Sequence, residues 1–254
     1  MTEKMVVIKQ AEVVYTSKKE RLQAIASTDL TINKEEFICL VGPSGCGKST
    51  LLKLLAGYLE PTSGSCEMHG EKITGPDWNR GVVFQSPTLY PWLSVRKNIE
   101  YGLKMRKIPR EKTQQAIDYY LQQIGLKEAE KRYPSELSGG MKQRVSMART
   151  LVNEPELILM DEPFGALDAL TRMNMQALLR KIWATDRKTI FLITHDIEEA
   201  LSLGTKVLVM SKGPGKIVET IEVDYARKAL ANDNHVIMDE KFLQLKEYIL
   251  SKIV

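Results

Sequence analysis

The chain has 254 residues, of which 43% are hydrophobic and 27% are charged. This composition is that of an ordinary folded protein and excludes a disordered chain. The length is large for one simple domain and small for two, which predicts one domain with a substantial insertion. The formal charge of +4 is too weak a bias to indicate nucleic acid, and it would equally suit the cytoplasmic face of a membrane.

The longest uninterrupted apolar run is Phe37–Val41, far shorter than the roughly 20 residues of a membrane-spanning helix. No apolar signal-peptide core follows Met1, so we expect the chain to stay in the cytosol. The cysteines Cys39, Cys46 and Cys66 are odd in number and lack CxxC spacing. They argue against a disulfide framework and against a zinc site.

Short β-rich runs recur along the chain, with helical stretches between several of them. The runs are Met5–Ile8, Phe37–Val41, Gly81–Phe84, Leu157–Met160, Thr189–Thr194 and Lys206–Met210. Apolar runs of four or five residues without alternation are typical of strands buried on both faces of a mostly parallel sheet. Strands that alternate with helices predict an α/β fold.

One region, from about Ser94 to Asn153, contains no convincing strand and has apolar residues at helical spacing. We interpret it as an α-helical subdomain, residues 87–154, inserted into an α/β core of residues 1–86 and 155–221. The alternative, crossover helices of the same sheet, would require an unusually long crossover. Residues 222–254 form a tail with a further helical stripe, too short for a separate regulatory domain.

The strongest local signal is a glycine-rich loop that matches GxxxxGK[ST] between an apolar run and a leucine-rich helix. Its glycines let the backbone approach a ligand, and the loop amides and helix N-terminus then face anionic oxygens. Lys48 should reach the β- and γ-phosphates, and the Ser49 hydroxyl should bind Mg²⁺. The predicted nucleotide-binding residues here are Gly42, Pro43, Ser44, Gly45, Cys46, Gly47, Lys48, Ser49 and Thr50.

Two further strands end in polar residues. Asp161 and Glu162 close the run that begins at Leu157, and ligands of open α/β sheets lie beyond the carboxyl ends of strands. Asp161 is therefore predicted to hold Mg²⁺, and Glu162 to orient or deprotonate the attacking water. His195 follows the strand that begins at Thr189, which favours a hydrogen bond to the γ-phosphate or the water over a purely structural role.

At this point the residues resemble a known family. Leu137–Arg144, which reads LSGGMKQR, resembles the signature sequence of ATP-binding cassette (ABC) ATPases. Gln85 is similar to that family's glutamine loop, 166–168 to its D-loop, His195 to its switch histidine and Tyr15 to the aromatic residue that stacks on adenine. These motifs occur in the family's order.

The resemblance implies a P-loop NTPase core with a mostly parallel sheet, an N-terminal antiparallel β part and an inserted helical subdomain, forming a single ABC ATPase domain over residues 1–254. It implies ATP and Mg²⁺ as cofactors, with Glu162 and His195 catalytic. Ser49, Gln85 and Asp161 would contact the metal. The further nucleotide contacts would be Tyr15, Gln85, Ser138, Gly139, Gly140 and Asp168.

The signature also has a physical reading, since Ser138 to Gly140 open a helical stretch and offer a second anion site. The resemblance implies a head-to-tail homodimer in which the phosphate loop of one subunit faces the signature of the other, with ATP between them. Two positions depart from the family. Met141 stands where glutamine is most common, and Glu35 where glycine is common.

The finer resemblance is to ATPase subunits of nitrate, sulfonate and taurine importers, carried by segments such as 73–76, 80–85, 161–168, 194–200 and 213–215. It implies integral-membrane permease subunits as partners, a solute-binding protein reached through the permease, no nucleic acid, and a peripheral location on the cytoplasmic side of the cell membrane. Thiamine-precursor importers carry similar ATPases and stay open as an alternative.

A cassette without a membrane span needs a separate permease, and the apolar segment 87–92 offers anchors for a permease helix. Alternatively, Tyr90 and Trp92 belong to the core of the helical region. A soluble ABC ATPase acting on DNA or ribosomes is a second functional class, but the chain lacks sustained heptads, a second cassette and a basic footprint. A kinase-like P-loop enzyme would leave the signature unexplained.

Overall fold

The computed structural model describes residues 3–16 and 21–253. Its strands in those ranges are β1 (Lys4–Thr16), β2 (Arg21–Asn33), β3 (Phe37–Val41), β4 (Ser63–Met68), β5 (Glu71–Lys72), β6 (Arg80–Val83), β7 (Leu157–Asp161), β8 (Thr189–Ile193), β9 (Lys206–Met210) and β10 (Ile217–Glu222). Its α-helices are α1 (Lys48–Ala56), α2 (Val95–Met105), α3 (Arg110–Gln123), α4 (Gly139–Leu151), α5 (Ala169–Asp186), α6 (Ile197–Leu203), α7 (Tyr225–Leu230) and α8 (Glu240–Ile253).

The chain divides into two compact units, residues 1–77 with 180–254, and residues 78–179. The first contains an antiparallel sheet in the order β2-β1-β4-β5, which confirms the predicted antiparallel N-terminal part. The sequence alone predicts a strand only over Met5–Ile8. Beyond it, Gln10 adopts a left-handed φ of 45° and the register with β2 shifts, so the apolar alternation that marks a strand is interrupted.

The same unit contains the parallel strands of the core. β3 lies between β8 and β9 and is parallel to both, with Phe37 opposite Ile190 and Val41 opposite Val209. All residues of β3 and β8 are buried, because helices cover parallel sheets on both faces. Helix α6 packs on β3, and α8 packs on β9.

β10 pairs antiparallel with β9 and was not predicted from the sequence. Its residues alternate between half-buried and exposed, so it presents no apolar run. Such a pattern is expected of an antiparallel strand with one face toward solvent.

In the second unit, β6 and β7 are parallel, with Gly81 opposite Ile158. Between them lie α2, α3 and α4 and no strand, as predicted for residues 94–153. α2 packs on α3 and on α4, and α4 packs on β6. The finer partition into a core (1–86 and 155–221), a helical subdomain (87–154) and a tail (222–254) stays a prediction.

Helix α5 begins in the second unit and ends in the first. Among the helices of the described ranges, none combines the length and the apolar character needed to cross a bilayer. The backbone at Glu35 shows why glycine would suit this position. Glu35 has a φ of 64°, the left-handed conformation that favours glycine, and its carbonyl accepts a hydrogen bond from Trp183 Nε1 at 2.7 Å.

The close packing at the end of α1 is testable. Gly57 has a φ of 77°, and an added Cβ would lie 2.2 Å from the Gly75 carbonyl oxygen. Gly70 has a φ of 81°, and within residues 3–16 and 21–253 no atom lies within 4 Å of its Cβ position. Gly70→Ala should cost about 1 kcal/mol through left-handed strain, and Gly57→Ala about 1–3 kcal/mol more. Thermal unfolding followed by circular dichroism measures the difference, and equal losses would contradict this packing.

Candidate functional site

The phosphate loop, residues 42–50, is supported by backbone packed against backbone. An added Cβ at Gly42 would lie 2.7 Å from the Met210 carbonyl oxygen, and one at Gly47 would lie 2.6 Å from that of Ala24. From the other side, an added Cβ at Gly215 would lie 2.0 Å from the Cys46 carbonyl oxygen. Glycine is therefore required at these positions because no side-chain atom fits between the two backbone segments.

The loop leads directly into the N-terminus of α1. Gly47 is the N-cap at a φ of 101°, no side chain caps the first turn, and that turn contains no acidic residue. Lys48 is buried, and its ammonium donates to the carbonyl oxygens of Gly42 and Pro43, each at 2.8 Å. Helix amides, helix dipole and this cation make the loop a site for an anion. A nucleotide phosphate fits that chemistry.

The remaining loop residues divide by exposure. Ser44 and Ser49 are exposed, as is the Gly45 backbone at a φ of 75°. Cys46 is buried, with its Sγ 3.9 Å from Lys48 Nζ. The exposed Ser49 hydroxyl, on the first turn of α1, is an oxygen donor suited to a hard cation such as Mg²⁺.

Two more predicted residues of the first unit lie near this loop or at the same edge of the sheet. The Tyr15 hydroxyl is 3.5 Å from Thr50 Oγ1, and the Tyr15 side chain is 41% exposed. His195 follows β8 and is exposed. Since β8 is the parallel neighbour of β3, His195 and the loop that follows β3 leave the sheet at the same edge.

In the second unit, Gln85 and Glu162 are brought together. Gln85 Nε2 donates to Glu162 Oε2 at 3.0 Å. Glu162 has a φ of 44°, a conformation that costs free energy in a residue other than glycine and recurs at functional sites. Asp161, the last residue of β7, is half-buried. The two carboxylates and the amide thus lie at or just beyond the carboxyl ends of the neighbouring strands β6 and β7.

The signature residues form the N-terminus of α4. Ser138 is the N-cap, and its Oγ accepts a hydrogen bond from the Met141 amide at 3.3 Å. An added Cβ at Gly139 would contact no atom in the part of the chain that the structure describes, and one at Gly140 would lie 3.2 Å from the Ala166 carbonyl oxygen. The signature and the segment 166–168 are therefore in contact. The first turn of α4 contains no acidic residue, as expected of a second anion site.

Asp168, next to the signature, caps α5 by accepting the Thr171 amide at 3.0 Å. This backbone hydrogen bond, the Thr171 hydroxyl and the nearby Arg144 guanidinium lower the pKa of Asp168 below its usual value. Arg144 is held by the Ile124 carbonyl oxygen at 2.7 Å. The carboxylate of Asp168 is therefore favoured in its ionised form beside the N-terminus of α4.

An aromatic surface lies on the segment that follows Gln85. Trp92 is 70% exposed, and its ring centroid is 5.6 Å from that of the half-buried Tyr90. Tyr90 also contacts Tyr101, with ring centroids 4.5 Å apart. Asn98 is fully buried and bonds both the amide and the carbonyl oxygen of Tyr90. Trp92 is thus not a core residue, whereas Tyr90 is in part.

Sequence reasoning missed the residues that support these sites. Ala24 and Gly215 lie against the phosphate loop through backbone atoms, and no residue type signals such a contact. Asn98 and Gln143 are buried polar residues within helices, where the sequence shows only an apolar stripe. A polar residue on the buried face of an amphipathic helix is the signal that would have found them.

The comparisons with known proteins agree with this geometry. The model of the ABC transporter family matches residues 25–165, and the chain belongs to this family. It is an ATPase of the ATP-binding cassette class, which confirms the predicted resemblance, fold class and enzymatic class and sets aside the kinase-like alternative.

Among the relatives are proteins named taurine import ATP-binding protein TauB. The protein of Escherichia coli (strain K12) is 43% identical over 232 residues, which is 91% of each chain. That of Pelagibacter ubique is 44% identical over 94% of this chain and 90% of its own. That of Chromobacterium violaceum is 46% identical over 91% of this chain and 89% of its own.

Solved structures show the same fold. A dimeric structure of the ATP-binding cassette MJ0796, in a post-hydrolysis state with ADP and Pi, is 31% identical, covers 86% of this chain and 99% of that chain, and has a TM-score of 0.79. The cbiO1 protein of Clostridium perfringens, part of the ABC transporter complex cbiONQ, is 25% identical. It covers 91% and 92% of the two chains, with a TM-score of 0.75.

The two left-handed glycines of the phosphate loop allow a test of its backbone packing. Gly47→Ala places a methyl group against the Ala24 carbonyl oxygen, whereas no atom of the described residues lies within 4 Å of the Cβ position of Gly45. Gly47→Ala should therefore weaken ATP binding at least about tenfold more than Gly45→Ala, since the loop must move to relieve the contact. Calorimetric titration with ATP measures both, with melting temperatures as controls for folding. Similar affinities would show that the contact with Ala24 does not shape the loop.

Proposed function

We propose that this chain is the ATP-hydrolysing, energy-coupling subunit of an importer for taurine or a related sulfonate, and that it acts as a homodimer. The observation that carries the proposal is the presence of two separate helix N-termini built as anion sites, one at α1 and one at α4. One bound nucleotide needs only one such anion site. The second anion site has a function when it faces the nucleotide bound to another copy of the chain.

The dimer follows from this pairing. ATP lies between the phosphate loop of one subunit and Ser138, Gly139 and Gly140 of its partner, and Asp168 contacts the same nucleotide site. Two-fold symmetry then forms two such sites at once. The fold of the dimeric cassette with ADP and Pi supports this arrangement. Because the γ-phosphate holds the contact, hydrolysis releases it and opens the dimer.

The residues of each subunit have distinct roles in this proposal. Lys48 and the loop amides hold the phosphates, and Tyr15, whose side chain is 41% exposed, stacks on adenine. Ser49, Asp161 and Gln85 would hold Mg²⁺. Gln85 would do so through its side-chain amide oxygen, while its Nε2 donates a hydrogen bond to Glu162. When bound, Mg²⁺ neutralises phosphate charge. Glu162 orients or deprotonates the attacking water, and His195 donates a hydrogen bond to the γ-phosphate.

The roles of Glu162 and of the signature are tested together. Glu162→Gln should lower the ATPase rate at least about a hundredfold, because the general base is lost, while ATP binding persists. This variant should form dimers with ATP but not with ADP, as measured by light scattering after size-exclusion chromatography. Adding Ser138→Arg should abolish the dimers and leave monomer binding intact.

A Glu162→Gln variant that hydrolysed ATP at the normal rate would overturn the role of Glu162. Dimers that persisted with Ser138→Arg would overturn the placement of the signature in the partner's site.

The assignment to an importer rests on the relatives and on the exposed aromatic surface. The relatives named above are taurine import ATP-binding proteins, which favours taurine over nitrate or a thiamine precursor. The surface formed by Tyr90, Trp92 and Tyr101 offers exposed apolar anchors for a helix of an integral-membrane permease. The chain would then lie peripherally on the cytoplasmic side of the cell membrane. A solute-binding protein would act through the permease.

Co-purification from membranes tests the permease contact. Trp92→Ala should lower the recovery of permease at least about tenfold, since a central aromatic anchor carries much of an interface's binding energy. Trp78→Ala is the matched control: Trp78 is 56% exposed in the same unit and packs on Arg106 instead. Both variants should bind ATP normally.

Proteoliposomes that contain the purified complex and its solute-binding protein should then take up taurine with ATP. Uptake of nitrate without taurine would overturn the substrate. Recovery of ribosomes or DNA in place of a permease would overturn the transport assignment.

A further inference from the structure

Two side chains of helix α4 hold both ends of the short segment that carries Gln85. Gln143 Nε2 donates to the Phe84 carbonyl oxygen at 3.2 Å. Arg149 Nη1 donates to the Thr88 carbonyl oxygen at 2.7 Å, and its Nη2 is 3.0 Å from Thr88 Oγ1. All of these contacts lie within the second unit. The backbone on either side of Gln85 is thus tied to the helix that begins with the signature.

The segment between these two attachments contacts Glu162, the carboxylate proposed above to act on the attacking water. Phe84 is adjacent to Gln85 in the chain, and Gln85 Nε2 donates to Glu162 Oε2 at 3.0 Å. The path from Gln143 to Glu162 therefore consists of two hydrogen bonds and one peptide link. A displacement of α4 shifts the Phe84 carbonyl and, with it, the amide that contacts Glu162.

The environment of Gln143 points to a role other than stability. Its side chain is 1% exposed, and its buried Oε1 has no hydrogen-bond partner in the described part of the chain. Burying an unpaired amide oxygen costs free energy, so an apolar side chain of similar length would fold at least as well. The partial burial of Arg149 also costs free energy, because it disfavours the charged guanidinium and lowers its pKa below the usual value.

We propose that Gln143, assisted by Arg149, is a positioning residue for ATP hydrolysis, which sets the place of Gln85 against Glu162 from the signature helix. The proposal rests on the roles proposed above for Gln85 and Glu162. It explains why Gln143, a buried side chain whose Oε1 is unpaired within the described part of the chain, stands on α4. It also makes hydrolysis in a subunit sensitive to the position of that subunit's own signature helix.

Steady-state kinetics of the full-length chain test this role. Gln143→Met keeps the length of the side chain and removes its donor. It should lower kcat at least about tenfold, because small displacements of catalytic groups carry such costs, while the KM for ATP and the melting temperature change little. Thr150→Val is the matched control: Thr150 Oγ1 donates to the Val82 carbonyl oxygen of β6 at 3.1 Å, away from Gln85. It should keep the wild-type kcat.

A double-mutant comparison separates positioning from general structure. In a Gln85→Ala background, Gln143→Met should have no further effect on kcat, because the amide it positions is absent. Arg149→Met releases the other end of the segment, and its effect on kcat should likewise disappear in the Gln85→Ala background. This variant replaces Gln143→Met in the test if Gln143→Met fails to fold. A wild-type kcat for both variants, or losses that multiply in the double variants, would overturn the proposal.

Failure here is distinguishable from failure of the proposed function. If Gln85→Ala and Glu162→Gln hydrolyse ATP normally, the proposed site roles fail. If both are impaired while Gln143→Met and Arg149→Met are not, only the positioning role fails. The permease and the imported solute do not enter these measurements.

Discussion

The constraint on which the nucleotide site depends is the contact of main chain with main chain around the phosphate loop. Anion-binding amides must converge on one point, which requires left-handed residues and leaves no room for side chains beneath them. Gly42, Gly47 and Gly215 meet carbonyl oxygens at distances that exclude a Cβ. The buried β3 strand and the N-terminus of α1 hold the two ends of this loop. Lys48, anchored on the loop's own carbonyl oxygens, adds the positive charge.

In the second unit, polar side chains are held inside a helical region. Asn98 fixes the backbone of Tyr90, while Gln143 and Arg149 hold the segment around Gln85. Irregular segments lack the backbone hydrogen-bond partners that helices and strands provide. These side chains supply hydrogen bonds in their place. Helix α4 thus begins with the signature and holds the segment around Gln85 through Gln143 and Arg149. Burial of such groups costs free energy, and the arrangement is explained by positioning more readily than by stability.

Sequence patterns predicted the parts of this protein that depend on local chemistry. The predicted strands are all present, and five of them agree with the structure to within one residue at each end. The phosphate loop, the carboxylates after β7 and the signature at the start of α4 lie where their motifs require. Strands β2, β4, β5 and β10 were missed. β10 illustrates the reason: it alternates between half-buried and exposed residues, so its pairing with β9 leaves no apolar run in the sequence.

The sequence by itself thus determined the family, the strand–loop–helix proposed to bind phosphate, and the identity of the residues proposed for chemistry. Motifs of this kind are local, because neighbouring residues along the chain supply the amides, hydroxyls and carboxylates. Only the tertiary structure decided which backbone lies beneath the loop, which polar side chains bond the segment around Gln85, and that Trp92 is exposed while Tyr90 is partly buried. Most of these features depend on contacts between residues that are far apart in the chain. Such contacts produce no regular spacing of residue types, so a sequence pattern does not reveal them.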